Sequence, residues 1–274
     1  MLIRIISGVI GIALAAFIVQ TGGNVFAGAG LLLAFGAWHE YCNAFREKGY
    51  KPTLVTGMVL ISVIWAGGWL GNAGFLVGAT MFSVLTVMLL TVLNHDNFDV
   101  LSAVISVAGV FYIGLSFTHL VMLRFMGGEA VIPTCLGDFQ LGCAFLWIAL
   151  IGTWASDTFA YFAGFAFGKH KLCEKISPKK TIEGFLGGLI GTTASVAALG
   201  VFFGLDLSLM AVLGFFICIV ATLGDLVESV IKRYTGIKDS GNIIPGHGGI
   251  LDRFDSVLYT APFVYYFMII VLGN

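Results

Sequence analysis

The stretch "LMAVLGFFICIVATLGDLVESVIKRY", Leu209 to Tyr234, changes character halfway along. It carries no charge up to Leu223, and then Asp225, Glu228, Lys232 and Arg233 follow in quick succession. A helix needs about 20 mostly apolar residues to cross the hydrocarbon core of a bilayer, so the uncharged part is a span and the charges mark where it leaves the lipid. Comparable runs lie at roughly 3–20, 24–38, 54–71, 74–93, 100–123, 140–162, 184–204, 208–224 and 256–272. The whole chain agrees, with 58% of its 274 residues hydrophobic, 11% charged and a mean hydropathy of +0.99. A soluble domain carries roughly 25% charged residues. The expectation is an all-α polytopic integral membrane protein of about nine transmembrane helices. The opening "MLIRIISGVIGIALAAFIVQ" reads as a retained first helix, because its apolar stretch is long, no small-residue cleavage site follows it and more spans come after.

The cations orient these spans. With nine crossings, the N-terminus and the loops after spans 2, 4, 6 and 8 share one side, and thirteen of the fourteen Lys and Arg residues fall there, Arg124 alone lying opposite. The positive-inside rule makes that side cytoplasmic, with the N-terminus in and the C-terminus out. The five cysteines are scattered without a CxxC pair and read as small buried hydrophobes. Residues 1–137 form an N-terminal set of about five spans with short loops, and residues 138–274 a C-terminal catalytic region, the two making one integrated membrane domain. The long polar connections, 165–183 and 225–255, both belong to the C-terminal region and both face the cytoplasm, so function is expected there.

In the second connection, continuing the span 8 helix past Leu223 puts Asp225, Glu228, Ser229 and Lys232 at i, i+3, i+4 and i+7, on one face. "TGIKDSGN" then breaks the helix, and "PGHGG" can offer backbone N–H groups at close range, the kind of concavity that holds phosphate oxygens. "LDRFD" opens the last helix with Asp252 and Asp255 three apart. Carboxylates and cations around a glycine loop point to a polyphosphate with a divalent metal, and oxygen ligands without a Cys/His cluster favour Mg²⁺ over zinc. Asp225 and Asp252 flank the loop, and a fold-back would bring both to one ion. The plainer alternative is a solvated loop in which Asp252 and Asp255 merely favour a helix N-terminus. Asp225 ends an apolar run, where an ionisable group is a functional candidate by default. His247, between glycines, has three roles open to it: a base, a phosphate donor or a loop filler.

In the first connection, Asp157, Tyr161, Gly164 and Gly168 form one helical stripe ending at the lysines. The small-xxx-small pairs Gly164/Gly168, Gly184/Gly188 and Gly187/Gly191 read as close helix packing. "SPKKTIEG" offers a turn at Ser177–Pro178, point charges at Lys179 and Lys180, a hydroxyl at Thr181 and a carboxylate at Glu183. The basic loop could also serve topology or anionic headgroups alone. His39, Glu40, His95 and Asp96 read as interfacial polar residues without an identifiable partner.

With those residues set out, "SVIKRYTGIKDSGNIIPGHGGILDRFD", Ser229 to Asp255, resembles the signature of the phosphatidate cytidylyltransferases, matching S-x-x-K-R-x4-K-D-x-G-x-x-x-P-x-H-G-G-x-x-D-R-x-D at every fixed position. "SDTFAYFAGFAFGKHKL" and "ISPKKTIEG" resemble a second region of that family. The resemblance covers roughly the last 120 residues. It implies that CTP and phosphatidic acid give CDP-diacylglycerol and pyrophosphate with Mg²⁺, leaving room for a second cation. It implies Asp225 and Asp252 as metal ligands, and Lys232, Arg233, His247, Gly248, Gly249 and Arg253 as holders of phosphate oxygens. Lys179, Lys180, Ser177, Thr181, Lys238 and Asp255 join them as substrate-binding candidates, with Asp157 and Asp239 as site residues of unassigned role. It suggests a homodimer among membrane lipids, with no nucleic-acid partner, and the short N-terminal stretch points to a bacterial plasma (inner) membrane. Two readings compete. A CTP-dependent polyprenol or phytol kinase would transfer the γ-phosphoryl group, and a transporter would place charged pairs near the middle of several spans.

Overall fold

The computed structural model describes residues 2–243 and 248–272, with side chains from residue 8 onward. Each of the nine predicted apolar runs falls on a helical stretch among them. Six helices are long and apolar enough to cross a membrane, Ala73–Leu93, Val100–Arg124, Leu141–Phe167, Ile182–Phe202, Leu207–Thr235 and Leu251–Leu272, and Gly8–Thr21 and Leu54–Trp69 are shorter apolar helices. Large apolar side chains stand exposed along them, Val77, Ile190 and Ile270 among them. In water such a surface would be a liability. In lipid it is the matching solvent, and helices satisfy every backbone polar group within the segment. The protein is therefore an all-α integral membrane protein.

The chain divides into two compact units, Met1–Met122 with Ile231–Phe254, and Leu123–Val230 with Asp255–Asn274. The boundary passes through the connection 225–255, which contributes residues to both.

The first unit begins with α1 (Leu2–Thr21), α2 (Gly23–Glu47), α3 (Leu54–Trp69) and α4 (Ala73–Leu93). The run predicted at 100–123 is interrupted: α5 (Val100–Gly109) passes through a π-helical turn, Val110–Leu115, into α6 (Ser116–Arg124). The core centres on Trp38, Ile61, Ile64, Ile113 and Phe117, all fully buried. Trp38 donates its indole N–H to the Leu54 carbonyl at 2.9 Å, and Tyr41 donates its hydroxyl to the Ile105 carbonyl at 3.1 Å, so each large ring has an apolar body and a satisfied polar tip. Gly109 makes room for both, since a Cβ there would lie 2.4 Å from the Tyr41 ring and 2.6 Å from that of Trp38. The loop before α3 is tied down by Ser102 and Ser106, whose hydroxyls accept from the backbone N–H groups of Lys51 and Thr53.

The second unit opens with an antiparallel hairpin, β1 (Val131–Thr134) and β2 (Gly137–Gln140), and continues into the 27-residue α7 (Leu141–Phe167). A second hairpin follows, β3 (Lys171–Cys173) and β4 (Ser177–Thr181), with Lys171 opposite Thr181 and Cys173 opposite Ser177. The turn expected at Ser177–Pro178 is thus the start of a strand. A two-strand ribbon has only edges, where proline costs no interior ladder bond. Helices α8 (Ile182–Phe202), α9 (Leu207–Thr235, whose last five residues belong to the first unit) and α11 (Val257–Leu272) complete the fold, with a single turn, α10 (Leu251–Phe254), before α11. The last helix is therefore interrupted at Asp255–Ser256, leaving Asp252 in the single turn and Asp255 in the break rather than on a common helical face.

Helices α7 and α8 pack through the predicted small residues. A Cβ on Gly187 would lie 2.2 Å from the Ala163 Cβ, and one on Gly184 2.8 Å from the Ala160 carbonyl oxygen. Gly187→Val should cost about 1–3 kcal/mol by overpacking, read as a lower thermal midpoint in detergent. Gly78→Ala, with nothing within 4 Å of the added Cβ, should leave the midpoint unchanged or raise it, because alanine is the better helix former.

Candidate active site

In the second unit, local capping puts two lysines in place. Thr181 ends β4 and caps α8, its hydroxyl accepting from the Gly184 N–H at 3.1 Å. Glu183 accepts from the backbone N–H groups of Lys169 at 3.0 Å and His170 at 3.2 Å, and pairs with the His170 ring at 2.6 Å. The carboxylate offered as a site group by "SPKKTIEG" therefore clamps the hairpin. With both ends fixed, Lys180 reaches α9 and pairs with Asp225, Nζ to Oδ2 at 2.6 Å. Ser229, one turn on, donates its hydroxyl to Asp225 Oδ1 at 3.3 Å. Gly224 allows the backbone at Asp255 and Ser256 to approach, since a Cβ there would meet the Asp255 carbonyl oxygen at 2.7 Å.

These groups border a cavity of about 550 Å³ lined by Asp157, Tyr161, Lys179, Lys180, Thr181 and Asp225, with Gly164 and Gly184 on its wall. The helical stripe read from Asp157 through Gly164 does line one recess. Lys180 and Asp225 stay about a quarter exposed, 24% and 29%. Such a pair contributes little to stability, about 0–1 kcal/mol, and a ligand can reach it.

In the first unit, a second lysine–aspartate pair is more enclosed. Lys232 Nζ donates to Asp252 Oδ1 at 2.8 Å, with the carboxylate only 9% exposed. Asp252 Oδ2 accepts from the Ser240 N–H, the Ser240 hydroxyl and the Gly249 N–H, each at 2.9 Å. Phe254 packs on Phe117, ring centroids 5.4 Å apart, and seats the turn.

Beside it lies Glu40, 2% exposed, which accepts from the Ile250 N–H at 2.9 Å, the Leu251 N–H at 2.8 Å and the Ser240 hydroxyl at 3.2 Å. This corrects the reading of Glu40 as an interfacial residue without a partner. It also changes the role of the glycines. A Cβ on Gly249 would lie 2.5 Å from Glu40 Oε2, one on Gly241 2.4 Å from Glu40 Oε1, and one on Gly248, at φ +84°, 2.9 Å from Asp252 Oδ2. In the predicted phosphate cradle "PGHGG", the Gly249 N–H already donates to Asp252, and the N–H groups of Ile250 and Leu251 just after it donate to Glu40.

The remaining predicted residues differ in setting. Arg233, Lys238, Asp239 and Arg253 are exposed, and Asp255 Oδ1 accepts from the Ser256 N–H at 2.6 Å. Ser177 is a strand residue opposite Cys173, and His247 lies outside the described residues. Asp225 belongs to the second unit and Asp252 to the first. His95 and Asp96 form an exposed ion pair at 3.1 Å, and His39 meets Asn43. Glu40 and Ser240 are the site residues that sequence reasoning missed. An acid inside the largely apolar run "LLLAFGAWHEYCNAF" carried a signal, by the rule already applied to Asp225.

The protein is thus an all-α membrane protein with one lysine–aspartate pair open to a cavity and a second pair enclosed. The chain matches the Cytidylyltransferase family over residues 2–271 and belongs to it. It is 38% identical over 295 residues to the phosphatidate cytidylyltransferase of Synechocystis sp., covering 98% of this chain and 97% of the relative. The Bacillus subtilis enzyme of the same name is 31% identical over 274 residues, at 97% and 96% coverage. That of Staphylococcus aureus (strain COL) is 34% identical over 270 residues, at 96% of each chain.

Proposed function

We propose that this protein is a phosphatidate cytidylyltransferase, joining the cytidylyl group of CTP to phosphatidic acid to give CDP-diacylglycerol and pyrophosphate. The observation that carries the reading is similarity along nearly the whole chain, 38% over 295 residues, to a protein of that activity. The lysine–aspartate pairs supply chemistry that such a transfer uses. A phosphatidate oxygen attacks the α-phosphorus of CTP, the bond to the bridging oxygen breaks, and pyrophosphate leaves with that oxygen. The reaction asks the protein for positioning and for neutralisation of charge on the phosphates rather than for a covalent nucleophile. Lys180 and Lys232, each held on a carboxylate, can turn to phosphate oxygens when substrate brings negative charge. Lys179 adds a cation at the cavity wall.

Asp225 and Asp252 are the residues that would hold Mg²⁺. Their donor chemistry fits, since Mg²⁺ binds through one or two carboxylates plus substrate phosphates rather than in an all-protein cage. When bound, the ion would neutralise phosphate charge and favour departure of pyrophosphate. Nine spans with the N-terminus inside and a cytoplasmic site are the reading that the apolar runs and the cation distribution favour, and bacterial relatives favour a plasma membrane. Nucleotide would arrive from water while the acyl chains stay in lipid. The family resemblance adds a homodimer.

The test uses detergent-purified protein with phosphatidic acid, Mg²⁺ and CTP labelled separately at the α- and γ-phosphates. The expected result is α-label in the lipid with pyrophosphate released. Label from the γ-position in lipid, with CDP released, would make the protein a lipid kinase instead.

A further inference from the structure

We infer that Glu40 is a positioning residue for the reaction: from α2 it holds Ser240 and the backbone of Ile250 and Leu251 in the arrangement that aims the Asp252 carboxylate. The inference rests on the assignment of Asp252 to the active site. Glu40 is 2% exposed, and a carboxylate is costly to bury unless its oxygens are fully hydrogen-bonded. Here they are, by groups 200 to 211 residues away in sequence: the N–H groups of Ile250 and Leu251 and the hydroxyl of Ser240. The Ser240 N–H, the Ser240 hydroxyl and the Gly249 N–H, which donate to Asp252 Oδ2, come from the same segment. Gly241 and Gly249 press against the Glu40 carboxylate so closely that a Cβ on either would collide with it.

Ser240 couples the two acids. Its oxygen lies 3.2 Å from Glu40 Oε2 and 2.9 Å from Asp252 Oδ2, and it accepts from the Asp252 N–H at 3.2 Å. A hydroxyl has one proton to donate, so the two carboxylates compete for it. Glutamine at position 40 shifts that competition towards Asp252, because a neutral amide accepts more weakly than a carboxylate. Its amide must face either the Ile250 or the Leu251 N–H with a donor, orphaning one of them. An amide turned towards Ser240 sends the hydroxyl proton wholly to Asp252, which lowers the charge density of that carboxylate.

The experiment is steady-state kinetics with CTP, phosphatidic acid and Mg²⁺ on Glu40→Gln, Gly241→Ala and Asp252→Asn, each normalised to folded protein by size exclusion in detergent. Gly241→Ala keeps the acid but drives a methyl towards Glu40 Oε1, 2.4 Å away. Glu40→Gln and Gly241→Ala are expected to lower kcat about tenfold or more with the KM for CTP little changed, the pattern of an interaction lost in the transition state. A folded Glu40→Gln variant with parental kcat beside an inactive Asp252→Asn overturns the inference. If Glu40→Gln does not fold, Gly241→Ala decides, and parental kcat in that variant overturns it as well. An active Asp252→Asn enzyme would instead overturn the assignment on which the inference rests.

Discussion

Asp252→Asn is expected to abolish turnover, by about a thousandfold or more on the scale seen when one preorganised electrostatic group is removed from an active site, while leaving a folded, membrane-inserted protein. The reason for both halves lies in how the two carboxylate oxygens are used. Oδ2 accepts from Ser240 twice and from Gly249, and an asparagine carbonyl oxygen can keep those bonds. The amide NH₂ then faces the Lys232 ammonium, where Oδ1 accepted at 2.8 Å, and two donors meet. The cost in stability should reach at most about 3 kcal/mol, the low end for breaking an enclosed ion pair, and it would register as a lowered thermal midpoint. The cost in rate is larger, because a neutral amide neither holds Lys232 nor offers an anionic oxygen to a divalent ion. Transfer of α-label from CTP into lipid is the measurement. Near-parental transfer at ordinary Mg²⁺ would remove Asp252 from the catalytic machinery.

Asp225→Asn tests the other pair with a different balance of effects. Lys180 and Asp225 are 24% and 29% exposed, so losing their attraction should cost no more than about 1 kcal/mol of stability. Turnover should nevertheless fall about a hundredfold or more if the cavity bordered by Asp157, Lys179 and Lys180 receives the phosphates. Lys180→Gln should reduce activity as well. Because the two side chains touch, the double variant should lose less than the sum of the single losses in free energy, as groups acting as a unit do. If Lys180→Gln were damaging and Asp225→Asn harmless, the lysine would be serving anionic lipid surface rather than this reaction. A strictly additive double variant would mean that the 2.6 Å contact in the resting protein has no part in turnover.

Much of this molecule was legible as a string. Membrane helices announce themselves locally, since hydropathy over about 20 residues needs no knowledge of neighbours. The stripe from Asp157 to Gly164, the glycine pairs of α7 and α8, and the continuation of α9 past Leu223 follow from helical periodicity, which a residue count supplies. The motif from Ser229 to Asp255 carried the family. Short-range capping was half legible: Thr181 and Glu183 stood out as polar groups, but their use in fixing the 171–181 hairpin did not. Ribbon pairing depends on register between strands, not on a pattern within either.

Partner choice was decided by the tertiary structure alone. Nothing within "LLLAFGAWHEYCNAF" indicates that Glu40 accepts from Ile250 and Leu251, and nothing within "PGHGGILD" indicates that the N–H groups of Gly249, Ile250 and Leu251 are already spent on Asp252 and Glu40. A glycine-rich run before a helix looks alike in sequence whether it closes on a phosphate or on the protein's own acid, because both present carboxylate-like oxygens to the same donors. Which of them is there depends on a side chain 200 residues away, placed by the packing of one helix on another. That is why the sequence could offer candidate residues, and only the fold could say which groups Glu40 and Asp252 hold.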